Sequence, residues 1–344
     1  MTFTRRDRRE WRIIFWIGVA SAIVSAYFGY AVRPPDSSPL WAALRGVVTS
    51  LAIATPISFY ELRGARSGLL RRLRRRPLAV YFGIKVLFYL VVIVVGLIVG
   101  RLLFTPLTSR HVEIDSVFES SIIFAVVMSV SANLALEMGA LLGYGTLKNL
   151  LTGRYVQPKH ERRAFLLIDM KDSTGLAERL GALRFHELLN DFFRDVADAA
   201  LECEAEIHKY VGDEAILTWP SNRALIEGDC LACPFIARDF IAANGKRYQA
   251  RFGAVPEFRA ALHCGDIVAG EIGDVRREIA YVGDTLNVAA RLLEAAKTLG
   301  RDVLVSADVL KRAALPPNLR AEALPTLAVR GHTAPLGISA LERA

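Results

Sequence analysis

Apolar residues follow two regimes along this chain. Up to about residue 147 they form long runs; beyond about residue 163 they come in short blocks or at helical spacing. Four runs reach the roughly 20 residues a helix needs to cross a bilayer: 12–32, 40–60, 78–103 and 120–147. The first is too long for a signal peptide and has no convincing cleavage site. The polar joint at 148–163, KNLLTGRYVQPKHERR, contains Pro158, which stops a helix from continuing. The pattern predicts a four-helix transmembrane bundle over 1–147, a connector over 148–163 and a second domain over 164–344.

The second domain reads as alternating strands and helices. RAFLLIDM (163–170) has strand length, and the segment after it has helical periodicity with Ser173 or Thr174 as N-cap. AEIHKYV and EAILTWP flank Gly212–Asp213, a hairpin signal. A second helical stretch covers about 223–249. EFRAALHCG and DIVAGEIG read as two strands joined at Gly265–Asp266. Asp284 then caps a helix that stops at Gly300, and DVLVS is a further strand. The order β-α-β-β-α-β with additions predicts a ferredoxin-like α+β sheet. Helices are expected on one face, with the other free for a ligand or partner.

Charge fixes the expected topology of the first half. The net charge is +8, and arginines cluster in RRDRREWR and RGARSGLLRRLRRRP. Both clusters abut apolar runs, which membrane topology explains and nucleic-acid binding does not. The loops at 33–39 and 104–119 carry one arginine each. The positive-inside rule therefore puts the N-terminus and everything after Lys148 in the cytosol, beneath the inner (cell) membrane of an integral membrane protein. Lys85 in the third span and Glu137 in the fourth are expected to meet inside the bundle; the alternative is a snorkelling Lys85 and an interfacial Glu137. His111, the single histidine of this half, lies in an outer loop, so paired haem-ligating histidines are absent from the spans. Cys230 and Cys233 form one CxxC with no second pair to complete a zinc site. They read as a redox pair or as small core residues in a reduced cytosol.

Two carboxylates are candidates for chemistry. Asp169 ends the first strand and Asp213 tips the hairpin beside it, so both can point at one spot. Two aspartates with open positions suit Mg²⁺, whose other ligands come from phosphates and water. The turn MKDST opens a helix whose free N–H groups suit phosphate oxygens. On the helix after Asp284, Asn287 and Arg291 are spaced i,i+4 and share a face otherwise set among apolar residues. Asparagine can orient a sugar or phosphate oxygen, and a guanidinium can stabilise charge at a phosphoryl centre.

In their order and spacing, FLLIDMKDST, HKYVGDEAI, HCGDIVAGEIG, GDTLNVAARL and AVRGHTAPL resemble the catalytic domain of class III nucleotide cyclases, the adenylate and guanylate cyclases. The resemblance covers about residues 160–340. It implies two divalent ions, Mg²⁺ or Mn²⁺, held by Asp169, Asp213 and the backbone carbonyl of Met170. It implies that Asn287 positions the ribose, Arg291 stabilises the transition state, Lys209 contacts the purine, and Arg330 reaches the triphosphate. Thr174, at the phosphate-facing helix start, is placed on the nucleotide. The implied reaction converts a nucleoside triphosphate to a 3′,5′-cyclic nucleotide and pyrophosphate at a homodimer interface. One protomer gives the aspartates and the other gives Lys209, Asn287, Arg291 and Arg330. Ala280 stands where adenylate cyclases commonly carry Asp or Thr to read the adenine amino group. ATP is the expected substrate because Lys209 is retained, with GTP open. Two other readings are a diguanylate cyclase, whose hairpin VGDEA resembles incompletely, and an inactive cyclase-like membrane receptor. Retention of both aspartates, Asn287 and Arg291 argues against the last.

Overall fold

The computed structural model describes residues 5–33, 38–63, 73, 76–104, 116–142, 144–275, 277–328 and 335–344. They divide into two compact units, Met1–Leu141 and Leu142–Ala344.

Among the described residues the first unit holds four long helices: α1 (Arg5–Ala31), α2 (Pro39–Arg63), α3 (Leu78–Phe104) and α4 (Ser116–Leu142). Three contain segments long and apolar enough to cross a membrane: Glu10–Ala31, Pro39–Arg63 and Val80–Phe104. In α4 the corresponding apolar stretch is the shorter Ile122–Ser131. Small residues let α1 and α2 approach closely, as in membrane helix pairs. A side-chain carbon on Gly29 would run into the backbone of Ala42, and one on Gly46 into that of Ser25. The expected Lys85–Glu137 pair forms at 2.7 Å, and Glu61 of α2 joins it at 2.7 Å from the same ammonium. Tyr89 donates its hydroxyl to Glu61. A lysine with no exposed side-chain surface thus has two carboxylate partners, the arrangement that makes an intramembrane charge tolerable. His111 and most of the second arginine cluster lie outside the described residues.

The second unit opens with α5 (Tyr144–Leu151) and then builds an eight-stranded sheet. Its strands are β1 (Lys159–Met170), β2 (Glu206–Val211), β3 (Glu214–Pro220), β4 (Phe258–Ile272), β5 (Glu278–Val282), β6 (Val303–Ser306), β7 (Leu319–Leu327) and β8 (Leu336–Arg343). The order is β2-β3-β1-β4-β6-β8-β7, with β5 hairpinned onto β4. β4 and β6 run parallel; the other pairs are antiparallel. β1 begins at Lys159, inside the segment expected to be connector.

Four expectations change. The sheet is covered on both faces. Ala164, Leu166 and Ile168 pack with α7 (Ala182–Glu202) and α9 (Asp229–Ala243). Phe165 and Leu167 pack with α11 (Thr285–Thr298) on the other face. The cause is visible in β1, whose residues from Ala164 to Ile168 are apolar at every position rather than alternating. β4 is one 15-residue strand with no turn at Gly265–Asp266. Gly265 is needed for close approach instead: a side-chain carbon there would sit 2.5 Å from Thr285 Oγ1. The N-cap of α6 (Ser173–Leu180) is Asp172 rather than Ser173 or Thr174, and Gly181, at φ 73°, separates α6 from α7. The stretch expected as one helix over 223–249 is α8 (Arg223–Ile226), α9 and α10 (Gly245–Phe252). A last short helix, α12 (Ala307–Leu310), follows β6.

Candidate active site

The site begins where β1 leaves the core. Asp169, half-buried, lies opposite Glu214 of β3 on one side and Arg259 of β4 on the other. Asp213 follows Gly212 in the β2–β3 turn, where Gly212 takes φ 61°, a conformation open to glycine without steric cost. The Asp169 and Asp213 carboxyls lie close enough to act on each other. Burial first, then the Asp213 charge, push the Asp169 pKa up to about 6. Burial and both aspartates push Glu214 up to about 7. Crowded carboxyls with too few counter-charges are poised to take a cation. Sequence reasoning missed Glu214, although it stands next to Asp213 in GDEA.

Met170 buries its side chain in the core, so its contribution to a cation is limited to the backbone carbonyl. Among the described residues no three His, Cys, Asp or Glu side chains converge on one metal position. Two aspartates and a carbonyl form an all-oxygen donor set with positions left for phosphate and water, which fits Mg²⁺ or Mn²⁺.

The chain leaves this point directly into α6. The first backbone bond of that helix runs from Leu176 N–H to Asp172 O, which leaves the amides of Ser173, Thr174 and Gly175 outside the ladder. Thr174 is exposed there. Lys171, also unnoticed in the sequence, is tied to Glu257 at 3.2 Å and Asp302 at 2.6 Å.

Asn287 and Arg291 stand elsewhere. The Thr285 hydroxyl donates to Asp266 O at 2.9 Å, which anchors the start of α11 far along β4 from Arg259. Asp284 caps the helix and accepts a 3.4 Å hydrogen bond from Asn287 Nδ2. Val288, Ala289 and Leu292 are buried, whereas Asn287 and Arg291 are exposed on the opposite face. Among the described residues Arg291 pairs with Glu294, at 3.1 Å. The helix runs back toward the aspartates, and the charge of Lys297 at its far end favours the Asp169 carboxylate. Asn287 precedes Lys297 by ten residues, about 15 Å along the axis. One chain therefore does not bring the aspartates and the Asn287–Arg291 pair together.

Lys209 and Ala280 flank an aromatic contact. His208 and Tyr281, their chain neighbours, put ring centroids 4.7 Å apart. Lys209 is exposed on β2 beside a bulge, and Ala280 pairs with Gly270 on β5. Arg330 lies outside the described residues. Cys230 and Cys233 are buried free thiols, and burial pushes Cys230 up to about 12. That is core packing and not a reactive redox pair.

The family model for the adenylate and guanylate cyclase catalytic domain matches residues 155–336. The chain belongs to the adenylate and guanylate cyclase family. It is by family an enzyme, a lyase of the nucleotide cyclase kind. The cyclase is 38% identical over 301 residues to Adenylate cyclase 2 of Rhizobium meliloti (strain 1021). That match spans 87% of this chain and 83% of the relative, so it extends from the catalytic domain into the apolar helices. An uncharacterised protein of Mycobacterium tuberculosis (strain ATCC 25618 / H37Rv) is 31% identical over 175 residues, 50% of this chain and 31% of that protein. Among solved structures, a bacterial light-regulated adenylyl cyclase superposes with a TM-score of 0.50 at 15% identity, over 68% of this chain and 67% of that one, a likeness of fold.

Proposed function

We propose that this cyclase is a membrane-anchored adenylate cyclase that forms 3′,5′-cyclic AMP and pyrophosphate from ATP at two composite sites of a homodimer. The observation that carries the reading is the separation just described. Asp169 and Asp213 converge at a helix N-terminus, while Asn287 and Arg291 point into solvent toward the other end of α11, ten and six residues before Lys297, about 15 and 9 Å along the axis. A second copy, turned about a two-fold axis, presents its Asn287 and Arg291 to the aspartates of the first, and the reverse. ATP is favoured over GTP by Lys209 and by the likeness to a relative named Adenylate cyclase 2. The helix α4, with 27 residues, serves as a fourth span. The arginine distribution places the N-terminus and the catalytic domain on the cytoplasmic side of the cell membrane.

Asp169, Asp213 and the Met170 carbonyl hold the divalent ions, two per site. When bound, these supply positive charge against the triphosphate and polarise the attacking hydroxyl. The amides that open α6, with the Thr174 hydroxyl, donate hydrogen bonds to phosphate oxygens. Lys209 lies against the purine and Arg330 against the triphosphate. Asn287 orients the ribose so that its 3′ oxygen faces the α-phosphorus. As the 3′ oxygen bonds to the α-phosphorus and its proton passes to solvent, the bond to pyrophosphate breaks and negative charge builds on the phosphoryl oxygens. Arg291, held by an exposed pair with Glu294, turns to meet that charge.

The test is product analysis with purified full-length protein, ATP or GTP, and Mg²⁺ or Mn²⁺. Cyclic AMP from ATP, abolished in Asp213→Ala, is the expected result. Cyclic di-GMP from GTP, or no product with a folded dimer, contradicts it.

A further inference from the structure

The first unit contains a cavity of about 470 Å³, lined by residues of all four of its helices. That volume falls within the range of pockets that hold small organic ligands. The wall is mostly apolar, with Ile17, Phe28, Ile53 and Leu97 among its residues. Two polar side chains from α4 interrupt it. Ser129 and Asn133 are spaced i,i+4 and so share a face. Asn133 is 1% exposed. Neither its amide nitrogen nor its oxygen has a hydrogen-bond partner among the described residues, and the buried Ser129 hydroxyl has none either.

Several other polar groups of the bundle differ. Lys85, Glu61, Glu137 and Tyr89 satisfy one another, Ser21 donates to Gly18 O at 3.0 Å, and Ser50 donates to Val47 O at 2.9 Å. A buried amide left without partners is strongly unfavourable, all the more in a bilayer, where lipid tails offer none. Polar side chains inside membrane bundles mark ligand and ion paths.

We propose that this cavity binds a neutral amphiphile, a long alkyl or isoprenoid chain ending in a hydroxyl or carbonyl group, with that group on Asn133 and Ser129. Neutrality follows from the uncharged pair that receives the head; the charged residues of the lining are Arg45, Arg101 and Glu61, of which Glu61 already partners Lys85. The apolar wall suits a chain and disfavours filling by water alone. A helix from a second copy is the wrong shape for the space, because the wall comes from four helices of one chain. The proposal rests on the membrane reading of these helices and not on the nucleotide reaction.

The probe is a diazirine-bearing analogue of 1-hexadecanol, photolysed with full-length protein in lipid nanodiscs. Adducts are mapped by mass spectrometry with and without excess 1-hexadecanol. Label is expected on cavity residues such as Met128 and Ile53, displaced by the competitor. It should fall at least tenfold in Asn133→Leu and in Ala125→Trp, which fills the space, while basal nucleotide turnover is retained. Label confined to the outward Ile123 and Val127, or not displaced by competitor, overturns the proposal. So does label unchanged in both variants, or cross-links joining two copies through the cavity. Carbonate extraction separates the failures: protein kept in the membrane without displaceable label contradicts the cavity alone, and released protein contradicts the membrane reading.

Discussion

Arg163, 1% exposed, ties three parts of the catalytic domain together. Its guanidinium donates to Glu161 at 3.1 Å and Glu206 at 2.8 Å, and lies 4.8 Å from the centre of the Tyr281 ring. Removing one partner of a buried pair leaves the other charge poorly solvated. Arg163→Met should lower the unfolding free energy by about 3 kcal/mol, the low end for such losses, since Glu161 keeps Arg154 and Tyr155 and Glu206 can rehydrate. Urea denaturation of the full chain checks it. His208, which packs on the same Tyr281, gives a pH effect of defined sign. Burial first, then the Lys209 charge, push its pKa down to about 4. Between about 6.5 and 4 the unfolded chain binds a proton at this position that the folded chain does not, so stability falls as pH falls through that window. His208→Gln should flatten the fall, seen as a smaller difference in melting temperature between pH 7 and pH 5 than in the unmodified chain. At this scale the sequence announces some residues and conceals others. Asp169, Asp213, Asn287 and Arg291 stand out because each is polar at the edge of an apolar run. Arg163 stands in HERRAFLL, where its neighbour Arg162 is half-exposed and pairs with Asp266. Nothing in the letters tells the two apart.

Among elements, the junction of β4 and α11 sets where Asn287 and Arg291 stand. Thr285 is held between Asp266 O and the bare backbone of Gly265. Thr285 is short and β-branched, so it cannot swing away from an added methyl group without giving up its hydrogen bond. Gly265→Ala should therefore push the start of α11 off the sheet. We expect a stability loss of about 1–3 kcal/mol, as for overpacked cores. Turnover should drop in kcat more than in KM, with the circular dichroism spectrum unchanged; unaltered kcat would show that this junction does not position the pair. The same glycine explains the misread strand. Gly–Asp between apolar blocks has the composition of a turn, and only the packing of a helix 20 residues later shows why the glycine is needed. The second face of the sheet was legible in principle, because Ala164–Ile168 lacks alternation, yet a strand order alone does not say which helix covers which face.

For the molecule as a whole, the two regimes of hydrophobicity marked the two units before any coordinates, since bilayer-length runs and strand-length blocks have different physical origins. The Lys85 pairing was legible for a similar reason: a charge deep in an apolar span needs a partner, and few are within reach. Glu61 as a second partner was not, because it lies at the polar end of its own helix. The central claim concerns assembly. On the proposed reading, a chain that carries both halves of a site, held apart by its own fold, is active only with a second copy. Asp169→Ala and Arg291→Ala should each lower turnover about 100-fold or more as pure homodimers. Co-expressed, they form mixed dimers in which one site has lost both groups and the other is intact. With random pairing, half the dimers are mixed and each keeps one of two sites, so activity should return to roughly a quarter of the unmodified level. The decisive measurement is nucleotide turnover of the two variants co-purified through different affinity tags. That preparation holds mixed dimers alone, so recovery to roughly half the unmodified level is the result expected here, and no recovery in a preparation shown to contain mixed dimers would contradict the composite site.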